Sequence, residues 1–280
     1  MQKLILFILT SILTSITLLA QTELSIMSYN IRLGSVDDGE NHWNIRKQKL
    51  VDLIQYYEAD FIGVQEAQMP QIDFIKASNP NLKFIGDPRS SDKNAEYSGI
   101  FYQADKFKLL SSKTTWLSQT PEVESKGWDA SYLRIVTYGL FENIKTKKKF
   151  WIINTHLDND GKIARQKSLE IIDQLIHDLN SKHKIPTFFM GDFNMNQDDQ
   201  SLAFIRSKYA DTRTNCKQIY GPDYTWEAFK FHTIGNEVLD YIFFKNQKGI
   251  RCKSLNTIDD FYDYKFPSDH LPILAKFILD

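Results

Sequence analysis

The sequence predicts a layered α/β domain built on mixed β-sheets, and three observations lead there. Short apolar runs bounded by polar residues recur along the chain and read as buried strands. Stretches with apolar residues at 3.6-residue spacing lie between some of them. A lysine-rich turn joins two further runs as a hairpin, which a purely parallel sheet would not contain.

Taken in order, Leu24-Ser25-Ile26-Met27 is the first apolar run and leads to Asn30. Leu50, Leu53, Ile54 and Tyr57 then predict an amphipathic helix over Trp43–Tyr57. Phe61-Ile62-Gly63-Val64 is a second strand ending in Gln65-Glu66, and Pro70 suits the first turn of a short helix through Ile75. Gly99–Tyr102 reads as another strand. Ile135–Phe141 pairs with Phe150–Asn154 across Lys145 and Lys147–Lys149, a basic run read as a solvated turn. His156 and Asp158 follow. Leu169, Ile172, Ile176 and Leu179 mark a long helix over Lys162–Asn180. Thr187–Met190 leads to Gly191-Asp192-Phe193-Asn194. Val238–Phe244 carries Asp240, and Ser268-Asp269-His270 precedes Leu271–Leu274. No linker-like stretch divides the chain after residue 20, so residues 21–280 are assigned to one domain.

Composition is that of a globular protein, with 42% hydrophobic and 25% charged residues. Nineteen Phe, thirteen Tyr and five Trp supply bulk for an extensive core. Residues 1–20 differ: Lys3, an apolar run from Leu4 and a small residue at Ala20 describe a secretory signal peptide, with export to the periplasm or beyond. A stable membrane span is not expected, since spanning takes ~20 mainly apolar residues. This run is shorter and carries Thr10, Ser11, Thr14, Ser15 and Thr17. The formal net charge is −1, and loss of Lys3 with the signal peptide makes it −2. A tight, non-specific nucleic-acid binder would carry a positive excess. Cys216 and Cys252 either pair or remain as two thiols, and two cysteines alone cannot make a zinc site.

Polar groups placed repeatedly at strand ends suggest one shared, chemically active sheet edge. Several have ordinary alternatives. Glu66 is a hard-metal ligand or a helix cap, and Asn30 is a ligand or simple turn chemistry. Gly191 would let the backbone turn tightly. Asp192 and Asn194 lie on one side if the strand continues, or form an Asx turn. Asp240 alternates with Val238 and Ile242, so it is expected to be buried and to need a partner such as Asp269-His270. There is no HExxH or GxSxG motif, and neither cysteine has a nucleophile signature. Oxygen ligands, amides and imidazoles suit Mg²⁺ or Mn²⁺ with a water nucleophile.

In order, the segments MSYNIR, GVQE, YSGIFY, NTHLD, GDFN, LDYIFF and SDHLPI resemble the endonuclease/exonuclease/phosphatase superfamily. The resemblance implies a four-layer sandwich, two mixed sheets face to face and flanked by helices. It also implies metal-dependent hydrolysis of a phosphodiester or phosphomonoester by direct attack of water. Asn30 and Glu66 would then contact metal and phosphate, with Asp269 a metal-side carboxylate. Asp192 would activate water, Asn194 would hold phosphate, and Asp240 would orient His270. His156 would stand near the leaving group with Glu96 behind it. Arg134 would reach phosphate, unless it is a plain surface arginine.

The substrate is expected to be a phosphorylated small molecule, a phospholipid headgroup or nucleic acid, and the protein a monomer. DGENHW and YTWEAF resemble secreted bacterial members. Loops Gly34–His42, Gln119–Tyr132 and Tyr220–His232 are the expected substrate selectors. A non-catalytic phospho-ligand binder on the same scaffold is the alternative, and the presence of every site group argues against it.

Overall fold

The protein is described from a computed structural model covering residues 21–232, 235, 237–245 and 248–280. The expected signal peptide, 1–20, lies outside them. The first half of the chain forms β1 (Thr22–Asn30), α1 (Trp43–Tyr57), β2 (Phe61–Gln65), α2 (Met69–Ser78), β3 (Leu82–Ile85), β4 (Ile100–Gln103) and β5 (Phe107–Trp116). Then come β6 (Ile135–Asn143), β7 (Lys149–His156), α3 (Lys162–Leu179), β8 (Thr187–Asp192), α4 (Gln200–Arg206) and β9 (Ala210–Asp211). The chain closes with α5 (Thr212–Asn215), β10 (Gln218–Tyr220), β11 (Asp240–Phe244), β12 (Ile250–Thr257) and β13 (Ile273–Leu279).

Two mixed sheets result, ordered β10-β12-β13-β1-β2-β4-β3 and β5-β6-β7-β8-β11-β9. Each is built around a central parallel pair, β1 with β2 and β7 with β8, and β10 adds a parallel pairing with β12 at the edge of the first. Such a pair needs a crossover, and α1 and α3 supply it. The flanking pairings are antiparallel. From β12 to β3, and from β5 to β9, the six-strand pattern of parallel and antiparallel neighbours is therefore the same.

Three apolar layers separate four layers of structure. Between the sheets lie Phe61, Phe141, Phe150, Ile152, Phe188, Ile242 and Phe277. The Phe61 ring sits 4.7–5.6 Å from those of Phe107, Phe141 and Phe150. On one outer face Leu50, Leu53 and Ile54 of α1 pack on Ile62 and Val64. On the other, Leu169, Ile172 and Ile176 of α3 pack on Ile153 and Phe189. A β2 buried on both faces explains why FIGVQ is apolar almost throughout.

Near one end of the inter-sheet core the filling turns polar. Asn154 Nδ2 donates to the carbonyls of Val64 and Gly99 at 2.9 and 2.8 Å, and Gln65 Nε2 donates to Asn154 Oδ1 at 2.7 Å. Buried amides that bond one another, backbone and the Ser28 hydroxyl tie the sheets together. Gly191 differs from its expected role as a turn residue. It lies inside β8, where a Cβ would overlap the carbonyl oxygen of Thr155 on β7. The basic turn Lys145–Lys148 is solvated as expected, and Asn143 Oδ1 accepts from Lys145 and Thr146 N–H. Cys216 and Cys252 form a disulfide. Among the described residues, no helix is long and apolar enough to cross a membrane.

Candidate active site

The two parallel pairs deliver their C-terminal ends to the same edge of the sandwich. Asn30 ends β1, Glu66 follows β2, His156 ends β7 and Asp192 ends β8. Asp240 opens β11 directly opposite Asp192, and His156 is the neighbour of Asp192 on its other side. Asp269 and His270 arrive just before β13, held by the loop that precedes β11. Glu227 N–H donates to the Asp269 carbonyl at 2.9 Å, and Leu271 N–H to that of Thr225 at 2.7 Å. Ser268 Oγ donates to the Asn30 carbonyl at 2.8 Å. These groups converge on a cleft of about 550 Å³, lined by Glu66, His156, Asp192, Asn194, Asp269 and His270 among others.

His270 stands between two acids. Its Nδ1 is 2.9 Å from Asp240 Oδ2 and its Nε2 is 3.7 Å from Asp192 Oδ2. Burial opposes a charge on the ring, but Asp240 and Asp192 outweigh it and raise the His270 pKa. Burial also raises the pKa of Asp192, with His270 opposing. Asp240 is fully buried, and its own N–H goes to Thr225 Oγ1 at 3.1 Å. The expected Asp240–His270 pair is thus present. Of the residues expected on its face, Ile242 does point into the inter-sheet core, whereas Val238 precedes the strand and packs in the outer layer.

The second histidine is in the opposite state. Asn194 Nδ2 donates to the Leu157 carbonyl at 2.9 Å and lies 2.9 Å from His156 Nε2, which must then accept. Burial, with Arg134, His270 and Arg89 adding to it, lowers the His156 pKa well below the ordinary value. A neutral and a charged imidazole in one cleft are the environments expected of groups with different roles. Asn194 does not continue the strand: its φ is +50°, and its N–H donates to Asp192 Oδ1 at 2.9 Å. The Asx turn wins, and the amide positions His156 with both of its protons engaged.

Asn30 likewise offers nitrogen where an oxygen ligand was expected. Its Nδ2 donates to Glu66 Oε1 at 3.1 Å and to Asp192 Oδ2 at 3.0 Å, while its Oδ1 accepts from Arg32 N–H at 3.0 Å. In this arrangement it spaces two acids. Glu66 does not cap α2, whose N-terminus is closed by Gln68 and Gln71. Instead its Oε2 accepts from Leu33 N–H at 3.1 Å. Arg32, which the sequence reading passed over, lies 4.0 Å from Glu66 Oε2 and 3.8 Å from Asp269 Oδ2.

Two acid groups could hold a divalent cation. Asp192, Asp240 and His270 have ligand atoms within 4.8 Å of one another. However, Nδ1 of His270 is committed to Asp240, and an imidazole charged by two carboxylates has no lone pair to give. Glu66 and Asp269 reach the same guanidinium, are partly exposed to the cleft and offer only hard oxygens, which fits Mg²⁺ or Mn²⁺ better.

Arg134 is a cleft residue, 6% exposed, and not a surface arginine. Its Nε donates to Asp158 Oδ2 at 3.2 Å and its Nη2 to Asn159 Oδ1 at 2.9 Å. Burial works against ionised Asp158, yet N–H groups of Gly161, Ser131 and Tyr132, with Arg134, bring its pKa down to about 2. Glu96 does not support His156, because its carboxylate is taken by Arg89. Arg89 and Arg134 stand 5.2 and 5.4 Å from the Tyr132 ring centroid. Each expected selector loop contributes: Asp38 binds Arg32, while Tyr132 and Trp226 line the cleft. Arg32 was the most accessible omission, since it lies two residues beyond Asn30 in MSYNIR.

Comparison with known proteins gives this geometry its context. Residues 27–270 match the model of the Endonuclease/Exonuclease/phosphatase family. The chain is 22% identical to the CCR4-Not complex 3'-5'-exoribonuclease subunit Ccr4 of Kluyveromyces lactis over 84% of its own length, but spans 37% of that protein. An endonuclease/exonuclease/phosphatase family protein from Bacteroides thetaiotaomicron is similar in structure, with a TM-score of 0.88, 30% identity and coverage of 93% and 99% of the two chains. A mannosyl-6-phosphatase from the same organism has a TM-score of 0.87 and 30% identity, with coverage of 91% and 99%. With a family match over most of its length and strand ends gathered at one polar cleft, the chain belongs to the endonuclease/exonuclease/phosphatase family.

Proposed function

We propose that this protein is a divalent-metal-dependent phosphoesterase that hydrolyses a phosphate ester of a small molecule, a sugar phosphate foremost, by direct attack of water. The observation that carries the reading is His270 held between Asp240 and Asp192 on the cleft floor. Asp240 fixes the ring and favours its charge. The ring then faces the phosphoryl oxygens, where negative charge concentrates in the transition state. Asp192, whose proton affinity is raised by burial, takes the proton of the attacking water. Neutral His156, positioned by Asn194, stands beside Arg134 on the leaving-group side. Glu66 and Asp269 would hold Mg²⁺ or Mn²⁺, which supplies further positive charge to the phosphate.

Two observations favour a small substrate over a polynucleotide. Glu237 lines the same cleft and would repel an extended polyanion. The 30% identity to a mannosyl-6-phosphatase supports a sugar monoester. The similarity to an exoribonuclease supports a second reading, hydrolysis at an RNA end.

A panel of mannose 6-phosphate, bis(p-nitrophenyl) phosphate and a short oligoribonucleotide, assayed with Mg²⁺ and Mn²⁺, separates these readings. Asp192→Asn and His270→Ala should each lower turnover by ~10²–10³ or more with the circular dichroism spectrum unchanged. Wild-type turnover by either variant rejects the assignment. Activity undiminished after dialysis against EDTA rejects the metal. Faster cleavage of the oligoribonucleotide than of either small ester would replace the sugar-phosphate reading by the nuclease one.

A further inference from the structure

Three carboxylates surround one guanidinium at the edge of the cleft. Arg32 donates to Asp38 through Nε at 3.1 Å and Nη2 at 2.9 Å. Its contacts with Asp269 and Glu66, at 3.8 and 4.0 Å, are longer than hydrogen bonds. They are Coulombic and can be given up without leaving a donor unpaired. The backbone is built to hold the side chain there. Arg32 has φ +55°, a conformation that costs a non-glycine residue free energy. Its carbonyl accepts from Arg46 Nη2 and Gln71 Nε2, both at 2.9 Å.

We propose that Arg32 is a built-in counter-ion for the Glu66–Asp269 acid pair, tethered by Asp38, and that it competes with the divalent cation for that pair. The inference rests on the assignment of Glu66 and Asp269 to the cation in the proposed function and adds a determinant of affinity to it. Two carboxylates that reach the same guanidinium repel each other when nothing positive lies near. The guanidinium relieves that repulsion in the metal-free protein. A cation entering between the acids meets a fixed positive charge about 4 Å from each, which weakens its binding. Asp38 keeps Arg32 from settling fully onto Glu66 and Asp269, so the acid pair stays open to the cation.

The test is Mn²⁺ binding by calorimetry in the absence of substrate. Arg32→Gln should tighten the Kd about tenfold, the change that ~1.4 kcal/mol produces. Asp38→Asn should weaken it, because Arg32 is released onto the acids. The decisive comparison is the double variant: with Arg32 already Gln, Asp38→Asn should have little further effect, since Asp38 acts through Arg32. Arg32→Lys keeps the charge but not the two-point tie to Asp38, so it should bind Mn²⁺ no more tightly than wild type, which guards against a folding defect as the cause of the Gln effect. An unchanged or weaker Kd in Arg32→Gln, or additive effects in the double variant, overturns the inference. Glu66→Gln separates the two layers. If it leaves Mn²⁺ binding intact, the cation assignment itself fails and takes the counter-ion role with it. If it abolishes binding while Arg32→Gln changes nothing, only the counter-ion role fails.

Discussion

Asp158 illustrates how much of this site depends on single side chains that touch no substrate. Its carboxylate accepts four backbone N–H groups and the Arg134 guanidinium, and its pKa is held at about 2. A carboxylate depressed below its unfolded value of ~3.9 stabilises the fold above that pH and loses the contribution as pH falls through its folded pKa. Asp158→Asn should therefore lower the urea midpoint at pH 7, and the difference from wild type should shrink as pH falls from ~4 toward 2. A gap between the two proteins that stays constant over that range would contradict the account. At this scale the sequence was partly legible. Asp192, Asp240 and His270 stood out because each interrupts or ends an apolar strand. Arg32 and Arg89 did not, because an arginine's long reach leaves no periodic trace, and the Asn194 turn was legible only as one of two alternatives. Glu96 was misassigned for the same reason: Arg89, its true partner, is close in space but has no signature in spacing.

Strands with clean periodicity were readable as elements, and those with a bulge were not. Trp43–Tyr57 appears as α1 with the expected bounds, and the β6–β7 hairpin forms across the lysine turn. β5 and β12 escaped notice, and each has a register shift, at Leu109/Ser111 and at Cys252/Ser254, which breaks the alternation a strand needs to be seen. β8 carries its own prediction. Its pairing with β7 brings Gly191 so close to Thr155 that no side chain fits, and the site residues His156 and Asp192 sit side by side just beyond. Gly191→Ala should cost ~1–3 kcal/mol of stability by overpacking and also lower turnover by spreading the two strand ends. Denaturant unfolding and kinetics on the same preparation check both. Full activity in a destabilised variant would mean that strand spacing does not set the site.

The whole molecule closes through its edges. The disulfide joins Cys216, next to β10, to Cys252 in β12, across a sequence separation of 36 residues. Breaking it by Cys216→Ser should reduce stability by ~2–4 kcal/mol, chiefly by freeing the unfolded chain. Equal urea midpoints for the variant and the oxidised wild type would show that the link is dispensable. The four-layer architecture followed from resemblance more than from residue patterns, because apolar runs identify strands without saying which sheet each joins.

The strand order also bears on how the protein comes into being. One sheet is made from the middle stretch β5 to β11 without β10, whereas the other needs the first and the last of the described strands, since β1 lies between β2 and β13. During synthesis β1 therefore waits with one edge unpaired until β13 has emerged. Asp269 and His270 lie immediately before β13, so both cleft residues arrive with that strand. Under the proposed function, hydrolytic capacity would wait for that strand and would not appear before the sandwich is closed.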